Sequence, residues 1–360
     1  MKKPINYKPF RRAWKHQDKS EVPFLLELRK RMKKEKPYKG LKILHNVPIS
    51  LETACKVETL LLSGADVTIA DNSLAPATKF KTLHILKEAG ISVLSKHKDV
   101  VDDYDFCLDC GAEFVDIIKP RKGIVELTRT GALIYSKRNL KIPVLSVDDS
   151  KLKSLETFFG TGDGFIRSFL MLTNEDIKNK NFVIFGFGKV GKGVVHFLKP
   201  YTKNITVIDI DPKALMSAKK LNLQAINLKE EQKVKKAIKN SFAIASATGV
   251  KHVISKSFKL KDKRIFKGKY LANIGIDEFG DMFADDEILY HKKWPINFAL
   301  PDPTKMRYLD PSFYAHNIGP EIILSRKLQA GYHIFPDDID NEILKQWQKH
   351  HKEDISLSQN

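Results

Sequence analysis

The stretch NFVIFGFGKVGKGVVHFLKPY, residues 181–201, begins as an apolar run, crosses three glycines in G-x-G-x-x-G spacing and continues with apolar residues at helical intervals. Val183, Ile184 and Phe185 read as a buried strand, while Val190, Val194, Phe197 and Leu198 fall on one side of a helix. Each glycine has its own task. Gly186 lets the chain turn tightly, Gly188 lets a pyrophosphate approach the backbone, and Gly191 lets helix and strand pack closely. The free N–H groups of the first helical turn, at Lys189 and Val190, face the same point and favour an anion there. A second strand, ITVIDID, brings in Asp209 twenty-three residues after Gly186. A carboxylate there accepts hydrogen bonds from a ribose diol and repels a 2′-phosphate. A tight turn without a ligand explains the glycines, but not strand, helix and acid in register. The joint pattern predicts a dinucleotide site with NAD as cofactor, favoured over NADP.

The same alternation runs outward from this unit. LKILHNV, SLETACKVETLLLSG and ADVTIADN read as strand, helix and strand. Ser50 is the N-cap, Gly64 the stop, and Ala54, Val57, Leu60 and Leu61 share one face. A second helix from Ala77 to Ala89 leads through Gly90 into ISVLS. Short strands follow at YDFCLDCG and IPVLSVDDS, then a helix at GDGFIRSFLMLT. Strands alternating with helices imply parallel sheets covered on both faces. The expected fold class is α/β, with two Rossmann-like, doubly wound parallel-sheet lobes. Their expected limits are residues 1–165, including a basic N-terminal segment 1–20, then residues 166–316 for the NAD-binding lobe, and a C-terminal segment 317–360.

With 360 residues, 42% of them hydrophobic, the chain is long enough for two cores. No window reaches the roughly 18 uncharged apolar residues of a membrane helix, and the start MKKPINYKPFRRAWKHQDKS lacks the apolar core of a signal peptide. A cytoplasmic protein with no membrane partner is expected. The net charge of +19 suggests nucleic acid at first. The lysines, however, are spread over the polar faces of helical patterns such as KVKKAIKN and LKQWQKHHK, without zinc-finger or RNP-like spacing, which argues against such a partner. Cys55, Cys107 and Cys110 are too few, and odd in number, for a disulfide framework. Cys107 and Cys110 have C-x-x-C spacing but end a strand and lack a second pair for zinc, so they read as reduced thiols, and no metal site is expected. His45, His252 and His316 lie near the motif segments, and spacing singles out none of them.

Ten segments in one order resemble the S-adenosylhomocysteine hydrolases. They are SLETACKVETLLLSGADV, LDCGAEF, GIVELTRTGA, IPVLSVDDSKLKS, FFGTGDGFIRSF, the glycine loop, ASATGVKHVIS, YLANIGIDEFGD, AHNIG and AGYHIFPDDID. The resemblance implies a substrate lobe built from the N-terminal half and the returning C-terminal segment, an inserted NAD lobe, a hinge, a small nucleoside-type substrate and a homo-oligomer. It also implies a reaction: NAD takes hydride from the 3′-hydroxyl carbon, a base removes the neighbouring proton, the thiol leaves, water adds, and the hydride returns. On the cofactor side the resemblance places Gly186, Gly188, Gly191, Asp209, Thr248, Gly249, Asn273 and Asn317. Thr128 and Thr130 match two of three consecutive threonines, with Arg129 between them. Ser50 and Glu52 fall on the adenine side.

The acid/base positions depart from the family. Pro48 stands where it has His, Cys110 where it has a second Asp, Leu127 where it has a second Glu, and Ile276 where His follows Asn-Ile-Gly. Asp109 and Lys153 are kept, and KSLETF offers Glu156, so these three are the candidate catalytic residues. A proline or leucine cannot carry a proton. The chain after IFPDDID also stops short of the family's closing tail, whose Lys and Tyr reach the cofactor of a neighbouring protomer. Three readings follow: a hydrolase of S-adenosylhomocysteine or a related nucleoside with substituted groups, an NAD-dependent oxidoreductase on another small substrate, or a non-catalytic NAD or nucleoside binder. An NAD-binding, hydrolase-like protein of altered activity is the expectation.

Overall fold

The computed structural model describes residues 4–73, 78–94, 99–101, 103–353 and 355. The chain divides into two compact units, Met1–Leu155 with Lys305–Asn360, and Glu156–Thr304.

The first unit starts with α1 (Phe10–Lys15) and α2 (Pro23–Glu35), then alternates β1 (Lys42–His45), α3 (Leu51–Leu62), β2 (Asp66–Ala70), α4 (Lys79–Glu88) and β3 (Val93–Leu94). The strands β4 (Phe106–Asp109) and β5 (Gly123–Glu126), helix α5 (Arg129–Tyr135) and strand β6 (Pro143–Ser146) follow. Ser50 caps α3 through a reciprocal pair with Thr53, and Gly64 follows the helix at φ +83°. Ala77 and Ser95, which the sequence places in the second helix and its following strand, lie outside the described residues. Helices α1 and α2 both hold α3: Arg29 on α2 binds Glu58 through two bonds of 2.8 and 2.9 Å, and the indole N–H of Trp14, in the basic N-terminal segment, donates to the same carboxylate. Strand β5 had no alternating pattern to reveal it, because all four of its residues are buried.

The second unit contains α6 (Thr161–Thr173), β7 (Phe182–Phe185), α7 (Lys189–Leu198), β8 (Ile205–Asp209), α8 (Pro212–Lys220) and β9 (Gln224–Asn227). Then come α9 (Glu231–Asn240), β10 (Ala243–Ser246), α10 (Val253–Ser257) and β11 (Tyr270–Asn273). Its sheet is parallel with order β11-β10-β7-β8-β9, so the direction of winding reverses between β7 and β10. Helix α6 belongs here because it packs against α7 at glycine-to-glycine distance: a Cβ on Gly162 would lie 2.5 Å from the Gly193 carbonyl oxygen.

The C-terminal segment returns to the first unit with α11 (Met306–Ser325), β12 (Gly331–Ile334) and α12 (Asp337–His351). Strand β12 pairs with β6 and completes a parallel sheet of order β12-β6-β5-β4-β1-β2-β3, whose winding reverses between β1 and β4. Buried Asp310 on α11 accepts the Phe24 and Leu25 N–H groups at 2.7 and 2.9 Å and so caps α2. The whole of α11 is thereby tied to this unit. The division after Thr304 therefore falls earlier than the residue 316 read from the sequence, and the division after Leu155 earlier than residue 165. Both units are α/β with parallel sheets.

Candidate functional site

In open parallel sheets, ligands bind at the carboxyl ends of the strands where the winding reverses. In the second unit that point is the turn after β7. Gly186 takes φ +86°, and a Cβ there would meet the Ala247 carbonyl oxygen at 2.6 Å. A Cβ on Gly191 would lie 2.0 Å from the Gly186 oxygen, so turn and helix touch through backbone. Gly188 differs from both. It is the N-cap of α7, no side chain caps the helix, and a Cβ there meets nothing within 4 Å. The first turn of α7, with Lys189 exposed and Val190 half-buried, thus presents N–H groups to open space, which suits an anion. Asp209, last in β8, accepts the Phe187 N–H at 2.7 Å through Oδ2 and the Asp211 N–H at 2.9 Å through Oδ1. It fixes the glycine turn, and each oxygen keeps a second lone pair for a ribose hydroxyl.

The loops after β10 and β11 meet on a residue that lies within the segment YLANIGIDEFGD but is not among the expected site residues. Buried Glu278 accepts hydrogen bonds from Ser246 Oγ at 2.5 Å, from Thr248 N–H and Oγ1 at 2.8 Å each, and from Gly249 N–H at 2.8 Å. Asn273 supports the same loop, since its Oδ1 accepts the Glu278 and Phe279 N–H groups and its Nδ2 donates to the Lys293 carbonyl. Three expected cofactor residues, Thr248, Gly249 and Asn273, are thus gathered around one carboxylate. The nearest sequence signal for Glu278 is its place five residues after Asn273. Ile276 is 48% exposed. His252 pairs with Asp277 at 2.6 Å.

In the first unit the winding reverses at the carboxyl ends of β1 and β4, and polar side chains concentrate there. Asp109 is fully buried and fully engaged: Asn46 Nδ2 at 2.9 Å and the Cys110 N–H at 2.8 Å reach Oδ1, while Tyr135 OH at 2.7 Å and the Phe114 N–H at 3.4 Å reach Oδ2. Glu126, at the end of β5, accepts the N–H groups of Gly111, Ala112 and Thr128 and the Thr128 hydroxyl at 2.7–3.1 Å. Burial, then the charge of Asp109, pushes its carboxyl up to about 7. Thr128 is also the N-cap of α5, while Thr130 is exposed. Burial drives the Cys107 and Cys110 thiols well up, and the described cysteines are free. Leu127 is buried.

Lys153 is buried after β6, with its charge felt at Cys110 and His316. Glu156 is half-buried on a π-helical turn over Leu155–Gly160 and belongs to the second unit. Ser50 spends its hydroxyl on capping α3, and Glu52 is buried in the first turn of that helix. Asn317 lies on α11 in the first unit, where its Oδ1 accepts from Lys56 Nζ at 2.8 Å and its Nδ2 donates to the Lys56 carbonyl. Lys56 is itself fully buried and also meets His45 Nε2 at 2.9 Å; burial lowers its amine well below the usual lysine range. Nothing in the sequence pattern separated Lys56 from the solvated lysines around it. Among the described residues, no cluster of three or more His, Cys, Asp or Glu gathers as a metal site, and no helix is long and apolar enough to cross a membrane.

A parallel α/β unit with a glycine turn, an uncapped helix N-terminus and an acid on the next strand defines a dinucleotide-binding domain, here joined to a second parallel-sheet unit. Residues 4–113 match the family model described as S-adenosyl-L-homocysteine hydrolase, and residues 157–282 match that of its NAD binding domain. The chain belongs to the S-adenosyl-L-homocysteine hydrolase family, as a divergent member with NAD as cofactor. It is 24% identical to the S-inosyl-L-homocysteine hydrolase of Methanopyrus kandleri, over 90% of this chain and 87% of that protein. It is 28% identical to the adenosylhomocysteinase of Saccharolobus solfataricus, over 90% and 88%. Among solved structures, a dipicolinate synthase chain of Bacillus halodurans shares the fold, with a TM-score of 0.50 and 11% identity over 80% of this chain and 98% of that one.

Proposed function

We propose that this chain uses NAD to exchange a hydride at the ribose of a nucleoside thioether, of the kind named in its relatives as S-adenosyl- or S-inosyl-L-homocysteine. The observation that carries this reading is the open N-terminus of α7 behind Gly188, in a chain that aligns with such hydrolases over most of its length. Gly188, Lys189 and Val190 hold the pyrophosphate through backbone N–H groups, and Asp209 holds the ribose of the adenosine half. NAD, when bound, supplies the reversible hydride acceptor. In the first unit, buried Lys153 carries the proton of the ribose hydroxyl, and Glu126 fixes the loops after β4 and β5 through its four hydrogen bonds. Asp109 orients its surroundings, because four donors already saturate it.

Loss of thiol and addition of water need further proton carriers, and Pro48 and Leu127 supply none. The Cys110 thiol, raised by burial, stays protonated at neutral pH. Hydride exchange is therefore the fast part of this chemistry and homocysteine release the slow part. Three buried free thiols also fit a reducing compartment such as the cytoplasm. The test is to purify the protein, identify the nucleotide it releases on denaturation, then add each thioether while following absorbance at the NADH band and free thiol. Released NAD with a rise in NADH absorbance supports the reading. An NAD-loaded protein that shows no absorbance change with either thioether overturns it.

A further inference from the structure

A buried carboxylate ordinarily faces a cation or a metal, because its charge is costly to leave alone. Glu278 is 1% exposed, and among the described residues it makes no ion pair. Its four hydrogen bonds come from uncharged donors: two hydroxyls and two backbone N–H groups. Its neighbour Asp277 has cations beside it instead, Lys251 and Lys293 at 3.9 Å each, and is hydrogen-bonded to His252 at 2.6 Å. The chain makes room for the arrangement, since a Cβ on Gly275 would lie 2.0 Å from Glu278 Oε1. Ser246, one of the donors, is the last residue of β10, the strand that borders the winding reversal. The negative charge therefore sits at the carboxyl end of the sheet, at the point a dinucleotide crosses when its pyrophosphate rests on α7.

The redox ring of that dinucleotide carries a positive charge when oxidised and none when reduced. We infer that Glu278 sets the redox preference of the site: its uncompensated charge makes the protein hold NAD⁺ more tightly than NADH. The inference rests on the cofactor assignment above and goes beyond it, because the fold and the glycine turn by themselves bind both forms alike. Glu278 is in this sense a positioning residue that acts through charge as well as through the loop it shapes.

The test uses the full chain stripped of nucleotide, with NAD⁺ binding followed by calorimetry and NADH binding by its fluorescence. The wild type is expected to bind NAD⁺ at least about tenfold more tightly than NADH. Glu278→Gln keeps an oxygen for Ser246 and Thr248 and loses the bond to Gly249, so the loop largely persists while the charge goes. The variant is expected to reduce the NADH/NAD⁺ ratio of dissociation constants by about tenfold, equivalent to about 1.4 kcal/mol. Glu278→Asp, which retains the charge, should retain the preference. Equal weakening of both forms in Glu278→Gln overturns the inference and leaves a structural latch. So does a wild type that binds NADH as tightly as NAD⁺, a result that needs no variant to fold. Binding of neither form would overturn the cofactor assignment itself, and this inference with it.

Discussion

Gly188→Ala and Gly191→Ala add the same methyl group three residues apart and should fail in opposite ways. At Gly191 the new Cβ lies 2.0 Å from the Gly186 carbonyl oxygen and 2.9 Å from its carbon, both backbone atoms that cannot swing aside. Such overpacking costs up to about 3 kcal/mol. Replacing glycine in a helix returns about 1 kcal/mol of propensity. The net loss is about 2 kcal/mol, which for a unit of this size lowers the melting temperature by roughly 4–8 °C. At Gly188 the backbone (φ −73°, ψ −164°) is open to any residue and the added Cβ meets nothing within 4 Å, so stability should stay within about 0.5 kcal/mol. The methyl instead occupies the space through which a pyrophosphate reaches the N–H groups of α7. Losing one charge-assisted bond of about 1.5–3 kcal/mol weakens NAD binding roughly 10- to 100-fold. Urea denaturation and calorimetric NAD titration of both variants measure the two axes separately. A Gly188→Ala protein that binds NAD like the wild type would refute the placement of the pyrophosphate, and one as destabilised as Gly191→Ala would refute the packing argument.

Asp209→Ala removes both the ribose acceptor and the anchor of the Phe187 N–H, and should weaken NAD much more than NADP; equal losses in a competition titration would mean that Asp209 only braces the turn. Tyr135→Phe removes a buried 2.7 Å bond to Asp109 and should cost about 2 kcal/mol in urea denaturation with NAD affinity unchanged, so a fall in NAD affinity would contradict the separation of roles. Glu126 has a carboxyl raised from 4.5 to about 7 in the folded protein, so the stability it contributes is fully present below pH 4.5 and is lost as pH rises through 7. Glu126→Gln should flatten that decline, and an unchanged pH profile of unfolding would show that Glu126 is ionised throughout. Ile276→His restores one family position on an exposed site, yet Pro48, Cys110 and Leu127 remain; homocysteine release by the single variant at the rate of a family enzyme would sink the claim that the lost groups act together.

The second unit was legible because its signals are local. The turn at Gly186, the close approach at Gly191 and the acid at Asp209 lie within one strand-turn-helix-strand unit, and each follows from backbone geometry that a sequence displays directly. Ser50 as the cap of α3 was legible for the same reason. Partners distant in sequence were not. Asp310 caps α2 from 286 and 285 residues away, Asn317 meets Lys56 from 261, and Glu278 gathers donors from 29 to 32 residues before it. A buried Lys56 looks like any other lysine in a chain with 62 Lys and Arg, because what distinguishes it is the loss of water around it, which only the fold decides. The limits of the units were displaced for a related reason: α6 and α11 carry helical signals that say nothing of which sheet they cover.

The pattern of loss and retention in the first unit is itself informative. The two carboxylates that remain at the carboxyl ends of β4 and β5, Asp109 and Glu126, hold four hydrogen bonds each and serve mainly to fix the loops that follow them. A carboxylate committed to four donors gives up interactions whenever it takes a proton, so it is a poor shuttle unless its neighbours also move. Where the resemblance implies acid/base groups, the chain carries Pro48, Cys110 and Leu127, and neither a proline nor a leucine side chain carries a proton. The second unit differs at the N-terminus of α7, which no side chain caps and which opens to free space at Gly188. Groups left incomplete in this way are sustained by what they bind, whereas groups satisfied internally are sustained by the fold alone. On that physical ground the open N-terminus of α7 behind the glycine turn is the part of this chain that a bound NAD completes.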